Sequence, residues 1–577
     1  MLKTDNNRIK KIDQRLFWLT GIYFLVMSII TFYFLYRNQI IFRGADVQFH
    51  VNRIEELFHN LKNGNWFPMI STYSANQVGI ATNTYYPAFF LYLFAFLRFL
   101  PLSPITVVYL GIMFFNFLTF IISFYTYKDF DGSWKKAFIF SNIYFFSAYR
   151  FLDILNRFDI AEFIALTFIP LVFWSFYKIT FRNDYSKWIW LAISMASVLS
   201  AHILTAILIV VTMLAVLVIN FKEINDIGAV LVSYCKAVGA FLCLTIGFIY
   251  SFLHSYLTSD VKMPKEFLFS DTATQLSNFI NNSLSNNISG NLTTFNMGLV
   301  SLIILIAGGI AFNKLTKLYR KFYITSLIVT VLSTTLIPWS LMQNTPVSLL
   351  QFPFRLFVIA NFFIALVGTE IISNFKFRYT ILVCILGLYV LNVSSIQNFV
   401  NTRSNFPTLR KPFKPDASLH ERYNIKVDRK TYFNLIKINP NRDYVPINVK
   451  KSDDANYRNG LKIYGHRLMI NGHWTEQKLK VNSIPNGAVY KIKTNEKVRI
   501  ALPFYVYNKN NYKVYVNNKV SHWDINDMNT VSLNVNRNSR VKVKYVLTTL
   551  QKITIGISVL SLLIIIALLC LRLVSYM

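Results

Sequence analysis

Apolar residues in this chain fall into long blocks that are separated by polar loops. Most blocks are about 20 residues long, the length an α-helix needs to cross a bilayer. They lie at residues 16–36, 86–126, 137–150, 160–180, 188–220, 227–257, 297–313, 322–340, 354–374, 379–396 and 551–572. The pattern predicts a polytopic α-helical membrane protein with about 12 spanning helices, in which 188–220 crosses twice and turns near His202.

Composition narrows the class of protein further. The 577 residues are 54% hydrophobic, and the mean hydropathy is +0.39. The formal net charge of +32 would suggest nucleic acid as a partner of a soluble protein, but no P-loop, zinc-finger spacing or nucleic-acid module is present. The four cysteines lie in apolar segments and form no metal-binding pair. We therefore attribute the positive charge to basic loops and to a basic domain beside the membrane.

The basic loops predict which side of the membrane each loop occupies. Lys and Arg concentrate at the N-terminus and around 128–136, 178–187 and 314–321. The positive-inside rule places these loops and the N-terminus in the cytoplasm of a bacterial cell. This arrangement requires 86–103, which ends in Leu-Pro-Leu-Ser-Pro, to be an outer-surface or re-entrant segment. The alternative is that 86–103 is itself a span.

Two large polar regions are then predicted outside the cytoplasmic membrane. One is the first outer loop, 37–85, within a transmembrane domain at 1–396. The other is 397–548, where β-branched and polar residues alternate, which predicts an extracytoplasmic β-rich domain before a C-terminal transmembrane helix at 549–577. This domain carries roughly eighteen more basic than acidic residues, enough to attract polyanions.

Ionisable residues recur at the outer borders of the apolar blocks. In the first outer loop, Asp46, His50 and Arg53 lie at i, i+4 and i+7, which is one face of a helix. A carboxylate flanked by His and Arg suits proton abstraction and anion binding. The alternative is an ordinary solvated helix start, with Asp46 near the positive end of the helix dipole.

A second group precedes the block at 160–180. Arg150, Asp153, Arg157 and Glu162 lie where ionisable groups are costly unless they are paired or face water. Mutual salt bridges between loop and helix are the structural alternative, which we favour slightly for Asp153 and Arg157. Glu162 is the better functional candidate because it begins an apolar run.

Two further candidates are single residues. His202 lies within an apolar hairpin, where a lone histidine is more often structural than catalytic, although its predicted place at the outer turn weakens that objection. Arg355 begins an apolar helix and suits a lipid phosphate, whereas the alternative is a side chain that reaches to the interface. Together the candidates predict a cleft for a lipid phosphate at one membrane face.

Several motifs occur in an order that resembles a known family. They are GADVQFHVNRIEEL, NGNWFP, YYPAFFLYL, AYRFLDILNRFDIAEF, LSAHILTAIL, LQFPFRLF, RDYVP and ALPFYVYNKNNYKVYVNN. The chain resembles the bacterial YfhO-type membrane proteins and the related domain called pyruvoyl-tetrahydropterin synthase-related. A pterin synthase needs a soluble fold and a histidine zinc site, and the sequence shows no such histidine cluster.

These families resemble the GT-C superfamily of glycosyltransferases, which use polyprenyl-phosphate sugars. The resemblance implies a catalytic carboxylate at Asp46 and a phosphate-binding cation at Arg355. It also implies transfer of a sugar from an undecaprenyl-phosphate carrier to a cell-surface polymer, such as a teichoic acid or cell-wall polysaccharide, with inversion. A partner synthase would supply the donor. Because the first loop has one aspartate where a tandem acidic pair is expected, metal dependence stays open: no cofactor is certain, and a divalent cation is one option.

The same resemblance suggests roles for the other candidates. Arg53, Arg150 or Arg157 would assist Arg355 at the donor phosphate. The remaining polar groups would bind donor or acceptor, with the histidines orienting the acceptor or relaying protons: His50, Asp153, Glu162 and His202. The alternative function is a transporter, flippase or assembly factor for lipid-linked surface polymers, although no internal repeat indicates one. A non-catalytic polymer-binding protein is a further alternative.

Overall fold

Helices form most of the molecule. The computed structural model describes residues 2–264, 267–290, 292–375, 378–418, 422, 424–438 and 443–576. Its helices are α1 Leu2–Asn38, α2 Val47–Lys62, α3 Thr82–Tyr85, α4 Leu91–Leu97, α5 Pro104–Asp131, α6 Trp134–Phe145, α7 Ala148–Phe151, α8 Ile160–Phe181, α9 Trp188–Ala201, α10 Ile203–Ile219, α11 Ile227–Thr258, α12 Phe269–Thr272, α13 Leu276–Leu284, α14 Gly298–Ile310, α15 Lys317–Leu332, α16 Phe357–Ser373, α17 Arg378–Arg403, α18 Tyr432–Lys437, α19 Asp453–Tyr464 and α20 Thr549–Tyr576.

Seven helices among the described residues are long and apolar enough to cross a membrane. These spans are Arg15–Asn38, Pro104–Asp131, Ile160–Phe181, Ile227–Thr258, Pro353–Ser373, Thr380–Arg403 and Thr549–Leu571. Two shorter apolar helices are Ile203–Ile219 and Gly298–Ile310. The prediction of a multi-pass membrane protein is confirmed, but the prediction of about twelve spans is not. Several predicted blocks form helices too short for a hydrocarbon core about 30 Å thick.

Local breaks explain the short helices. The predicted span at 137–150 divides into α6 and α7, and a π-helix at Leu152–Arg157 follows. The block at 188–220 divides at His202, whose extended backbone (φ −148°, ψ 115°) ends α9 and starts α10. Within 86–103 the structure has only α4, a helix of seven residues that packs on α2 and α5. This segment is too short to cross as one helix, in agreement with the surface interpretation.

The helical region has two chemically different ends. At one end, which we name the basic end, lysines near the ends of α6, α8 and α15 pair with acidic groups: Lys136 with Glu370 (2.9 Å), Lys178 with Asp129 (2.6 Å) and Lys321 with Glu223 (2.6 Å). An apolar cavity of about 420 Å³ opens here between α5, α8, α10, α15 and α16. The other end, which we name the site end, carries the loop after α1, the start of α8, His202 and the β-strands.

The β-rich region is a sandwich of two five-stranded antiparallel sheets. Its strands are β3 Arg467–Ile470, β4 His473–Lys478, β5 Val481–Ile484, β6 Gly487–Ile492, β7 Val498–Tyr505, β8 Tyr512–Val516, β9 Lys519–Val520, β10 Asp524–Ile525, β11 Thr530–Val535 and β12 Ser539–Tyr545. One sheet has the order β10-β11-β7-β3-β4 and the other β5-β6-β12-β8-β9. Alternate residues of β12 are buried, as expected for strands with one face in a core.

The sandwich begins later than the sequence pattern predicted. Helix α17 continues to Arg403, past the predicted domain boundary at 397, and the described residues between 404 and 464 are irregular or helical apart from a short strand, β2 (Lys426–Val427). The strands of the sandwich lie between 467 and 545. The predicted C-terminal helix at 549–577 agrees with α20.

The first outer loop packs against the C-terminal region. Strand β1, Ile41–Phe42, pairs antiparallel with β2. Farther along the loop, the backbone N–H of Met69 donates to Asn486 (2.9 Å), and Val78 accepts a hydrogen bond from Tyr505 (2.9 Å). Gly79 lies against the Phe504 ring, where an added Cβ would come within 2.8 Å. The loop and the sandwich therefore share one hydrophobic core.

Candidate functional site

Asp46 is placed by backbone contacts between the first loop and the second. Its N–H donates to the Arg157 carbonyl (2.8 Å). Gly44 permits this approach, because a Cβ there would lie 2.5 Å from the same oxygen. Asp46 occupies the N-cap position of α2, but its side chain makes no capping hydrogen bond. Its carboxylate instead faces Arg157 (Oδ2 to Nη2, 3.7 Å) and is 37% exposed. Asp46 thus stands at a partly exposed helix start, as in the structural alternative, but its carboxylate faces Arg157 and makes no capping hydrogen bond.

Arg157 is the centre of the site. Its guanidinium contacts Asp153 (2.9 Å), Asp159 (2.7 Å) and Glu162 (3.0 Å) as well as Asp46. The short π-helix positions Arg157, and the next residue turns the chain through a positive φ into α8. Asp159 then caps α8 by accepting from two backbone N–H groups. One guanidinium thus joins carboxylates from two loops and one helix.

Glu162 links this centre to a distant part of the chain. Its Oε2 contacts Arg157 and also Nε of Arg355 (3.3 Å), while Oε1 accepts a hydrogen bond from the Tyr149 hydroxyl. Arg355 lies in a tight turn, Pro353–Leu356, just before α16 and is held by Gln351 (2.7 Å). We name these six charged residues the arginine–carboxylate cluster: Asp46, Asp153, Arg157, Asp159, Glu162 and Arg355.

Two histidines border the cluster. His50 approaches Asp159 (Nε2 to Oδ1, 3.3 Å). Nδ1 of His202 lies 2.8 Å from the Thr205 hydroxyl. When Nδ1 carries the ring proton and donates it to that oxygen, Nε2 is unprotonated and can bind a cation beside the carboxylates. Ligand atoms of Asp159, Glu162 and His202 lie within 4.8 Å of one another. Carboxylate oxygens and an imidazole nitrogen suit a divalent cation, so these three residues match the ligands that such a cation needs. The guanidinium groups of Arg157 and Arg355, which already contact these carboxylates, would compete with the cation.

Two predicted arginines do not join the cluster. The Arg53 side chain donates to the carbonyls of Tyr86 (3.0 Å) and Pro87 and to the Asn83 side chain (3.1 Å). Arg150 lies over the Phe163 ring at 4.0 Å and donates to its carbonyl (3.3 Å). Each guanidinium bonds to backbone carbonyls, and one nitrogen of each, Nη1 of Arg53 and Nε of Arg150, has no hydrogen-bond partner among the described residues. Their assistance at a donor phosphate stays a prediction, and neither arginine pairs with a carboxylate of the cluster among the described residues.

Two carboxylates of the cluster, Asp46 and Asp159, have pKa values shifted in opposite directions because their surroundings differ. Burial and the neighbouring charge of Asp159 raise the pKa of Asp46, although Arg157 and His50 oppose this shift. Burial alone would also raise the pKa of Asp159, but the Arg157 guanidinium and the hydrogen bond from His50 hold it well below its usual range. Asp159 therefore stays ionised while Asp46 is the better proton acceptor. Such divergent pairs are typical of acid–base sites.

The cluster has more negative than positive charge. Four carboxylates face two guanidinium groups. Two buried atoms, Oδ2 of Asp153 and Nδ1 of His50, have no hydrogen-bond partner among the described residues. Buried polar atoms without partners are costly, and in a charged cleft they indicate a place for a ligand. Asp46, much the most exposed member of the cluster, marks the accessible side.

Sequence inspection did not select Asp159. In the segment Asn-Arg-Phe-Asp-Ile it stands directly before a long apolar helix, where aspartate is a common N-cap. It does cap α8, yet its other oxygen pairs with Arg157. The available signal was its spacing of three residues from Glu162, which places both carboxylates on the first turn of one helix.

Fold and site define a polytopic helical membrane protein with a β-sandwich and a buried ionic centre at the end where the sandwich lies. A family model described as the 6-pyruvoyl-tetrahydropterin synthase related domain of membrane proteins matches residues 83–401. This match covers more than half of the chain, so the chain belongs to that family. The matched part contains Asp153, Arg157, Asp159, Glu162, His202 and Arg355, whereas Asp46 precedes it. No curated protein matches the chain.

Proposed function

We propose that the protein is a membrane glycosyltransferase of the GT-C type, with about twelve helical passes. It would move a sugar from an undecaprenyl-phosphate carrier to a cell-surface polymer. The observation that carries this proposal is the environment of Asp46: an accessible carboxylate that caps no helix and faces a buried ionic centre at the membrane border. The basic loops at the opposite end support a cytoplasmic N-terminus and an outward-facing site.

Asp46 would act as the general base of an inverting transfer. The acceptor hydroxyl gives its proton to Asp46 as its oxygen bonds to the anomeric carbon, and the bond from that carbon to the phosphate oxygen breaks. The raised pKa of Asp46 strengthens it as a proton acceptor. Activity should therefore fall as the pH drops through this pKa, because the protonated carboxyl cannot accept a proton.

The departing polyprenyl phosphate needs positive charge. Arg355 is the cation that the resemblance assigns to this role, and it lies on the same ionic centre as Asp46, joined through Glu162 and Arg157. Both arginines already face carboxylates, so the cluster alone would repel a phosphate. A divalent cation on Asp159, Glu162 and His202 would supply the missing positive charge near the leaving group.

The test is sugar transfer by purified protein. Asp46→Asn keeps the shape of the side chain and removes its basicity, so transfer from a labelled polyprenyl-phosphate sugar should fall by about 10²- to 10⁴-fold, the usual contribution of a general base. The control is Asp131→Asn, at the basic end, where the carboxylate pairs with Lys136 (3.1 Å). The control should transfer sugar at the wild-type rate.

Two results would count against the proposal. Full transfer by Asp46→Asn, at equal protein level, would remove this residue from the mechanism. Lipid translocation by the wild-type protein without any sugar transfer would instead support the transporter or flippase alternative. A synthase that makes the donor is expected as a partner, and the basic sandwich is expected to hold an anionic acceptor such as a teichoic acid.

A further inference from the structure

We propose that Asp443 and Lys262 form the acceptor subsite of this enzyme and recognise a polymer with neighbouring hydroxyl and phosphate groups. This inference rests on the proposed function. Asp443 belongs to the Arg-Asp-Tyr-Val-Pro motif at 442–446, of which Arg442 lies outside the described residues. The motif lies between α18 and α19, far along the chain from every residue of the arginine–carboxylate cluster.

Backbone hydrogen bonds hold the motif beside the end of α11. The N–H of Tyr444 donates to the Lys262 carbonyl (2.7 Å), and the N–H of Lys262 donates to the Val445 carbonyl (2.9 Å). An isolated antiparallel bridge joins Val261 to Pro446. Asp443 and Lys262 are therefore neighbours on paired segments, one from each half of the chain.

Aromatic packing fixes the motif further. The Tyr444 ring stacks on Tyr85 of the first loop, with ring centres 5.5 Å apart and planes inclined by 6°. The Tyr507 hydroxyl donates to the Tyr444 carbonyl (2.6 Å). Tyr444 also has a positive φ of 63°, a strained conformation that a non-glycine residue keeps only when its surroundings impose it. The residue after Asp443 is thus held in a strained conformation by two neighbouring segments.

The Asp443 side chain is left without a partner in this rigid setting. It is half-buried, and within the described parts of the chain it makes no hydrogen bond or ion pair. The charged and titratable groups that face it are Lys262, Asp46, Arg422 and Tyr444. Burial first, and then the negative charge of Asp46, raise the pKa of Asp443 to about 6, against the opposing effect of Lys262 and Arg422.

These surroundings define the ligand. Phe49, three residues after Asp46, packs against the Tyr444 ring next to Asp443, with ring centres 6.4 Å apart. The Asp443 carboxylate therefore lies near Asp46 and can accept a hydrogen bond from a hydroxyl next to the one that reacts. The Lys262 side chain is exposed and forms no ion pair with described residues, so its ammonium group is available for a phosphate. A polyol-phosphate chain carries both groups in alternation. An uncharged polysaccharide acceptor would contact only the Asp443 carboxylate and would leave Lys262 without a phosphate.

The experiment measures transfer by the full-length protein to a short poly(glycerol phosphate) and to the corresponding uncharged polyol. Asp443→Asn should raise KM for both acceptors by about tenfold, the effect of losing one charge-assisted hydrogen bond, while KM for the donor stays constant. Lys262→Gln should raise KM about tenfold for the phosphate polymer only. The control is Asp527→Asn, whose carboxylate is 85% exposed on the sandwich side of the protein.

The pH profile separates binding from a structural role. In the wild-type protein, KM for acceptor should rise as the pH falls below about 6, where Asp443 becomes protonated. This rise in acceptor KM at low pH should be absent in Asp443→Asn. A variant that only destabilises the fold would still show the rise.

Unchanged acceptor KM in Asp443→Asn, or wild-type preference for the uncharged polyol, overturns the inference. Failure of the proposed function looks different, because the wild-type protein would then transfer no sugar to either acceptor.

Discussion

Replacement of Arg157 by Gln tests whether one guanidinium holds the site together. Arg157 is almost fully buried and contacts four carboxylates at 2.7–3.7 Å. In the variant, Glu162 keeps Arg355, but Asp153 and Asp159 lose their guanidinium partner. Removing one partner of a buried ion pair costs about 3–5 kcal/mol. We expect the free energy of unfolding to fall by at least this amount at pH 8.

The loss should depend on pH in a defined direction. Without Arg157, the pKa of Asp159 rises from below to above the value of about 4 that it has in an unfolded chain, and the pKa of Asp153, which burial already holds well above that value, rises further. The folded variant then binds protons that the unfolded chain does not, so its stability falls as the pH rises. Each carboxyl contributes up to about 1.4 kcal/mol for every tenfold change in its acid dissociation constant. The deficit relative to the wild-type protein should therefore be larger at pH 8 than at pH 5.

The assay is thermal unfolding of purified protein in one detergent at both pH values. Arg98→Gln is the matched control, because Arg98 is half-buried and pairs with a single buried carboxylate, Glu55 (2.8 Å). The control should lose less stability and show a shallower pH dependence. If Arg157→Gln melts like the wild-type protein, or loses more stability at pH 5 than at pH 8, the carboxylates do not depend on this guanidinium.

Two further predictions concern the first outer loop. Gly44→Ala should destabilise the protein by about 1–3 kcal/mol, because the added Cβ overlaps the Arg157 carbonyl. The control is Gly21→Ala, where an added Cβ has nothing within 4 Å. This control should melt at or slightly above the wild-type temperature in the same detergent. Glu56→Gln should lower stability by about 1.5–3 kcal/mol, because its carboxylate accepts three backbone N–H groups of residues 72–74. Limited proteolysis should then cut this loop faster in the variant, and an unchanged cleavage rate would refute that role.

Part of the site could be predicted because ionisable groups at the borders of apolar blocks are expensive. Asp46, Glu162 and Arg355 each stand at such a border, and the structure brings them onto one ionic centre. Arg53 and Arg150 give the same sequence signal but bond to backbone carbonyls instead. The sequence does not distinguish these outcomes, because the partners of Arg53 and Arg355 come from segments about 30 and 193 residues away.

The architecture was predicted unevenly for a similar reason. Continuous apolar runs identify the long spans reliably, since they need only length and composition. The turn at His202 was predicted from the basic loops on either side of 188–220, and the structure has it. The break between α6 and α7 depends on what the freed backbone groups can bond to in three dimensions, so hydropathy does not show it. The sandwich was detected through the alternation in its strands, but 404–464 lacks that alternation and was wrongly included.

The pairing of β1 with β2 has a consequence for biosynthesis. About 385 residues separate Phe42 from Lys426, its partner in the register. At ribosomal rates of 5–20 residues per second, on the order of 20–80 s pass before the second strand is made. During this interval β1 has no partner strand, because β2 has not yet been synthesised. A transcript truncated before codon 426 would therefore yield inserted helices whose first loop has no strand to pair with.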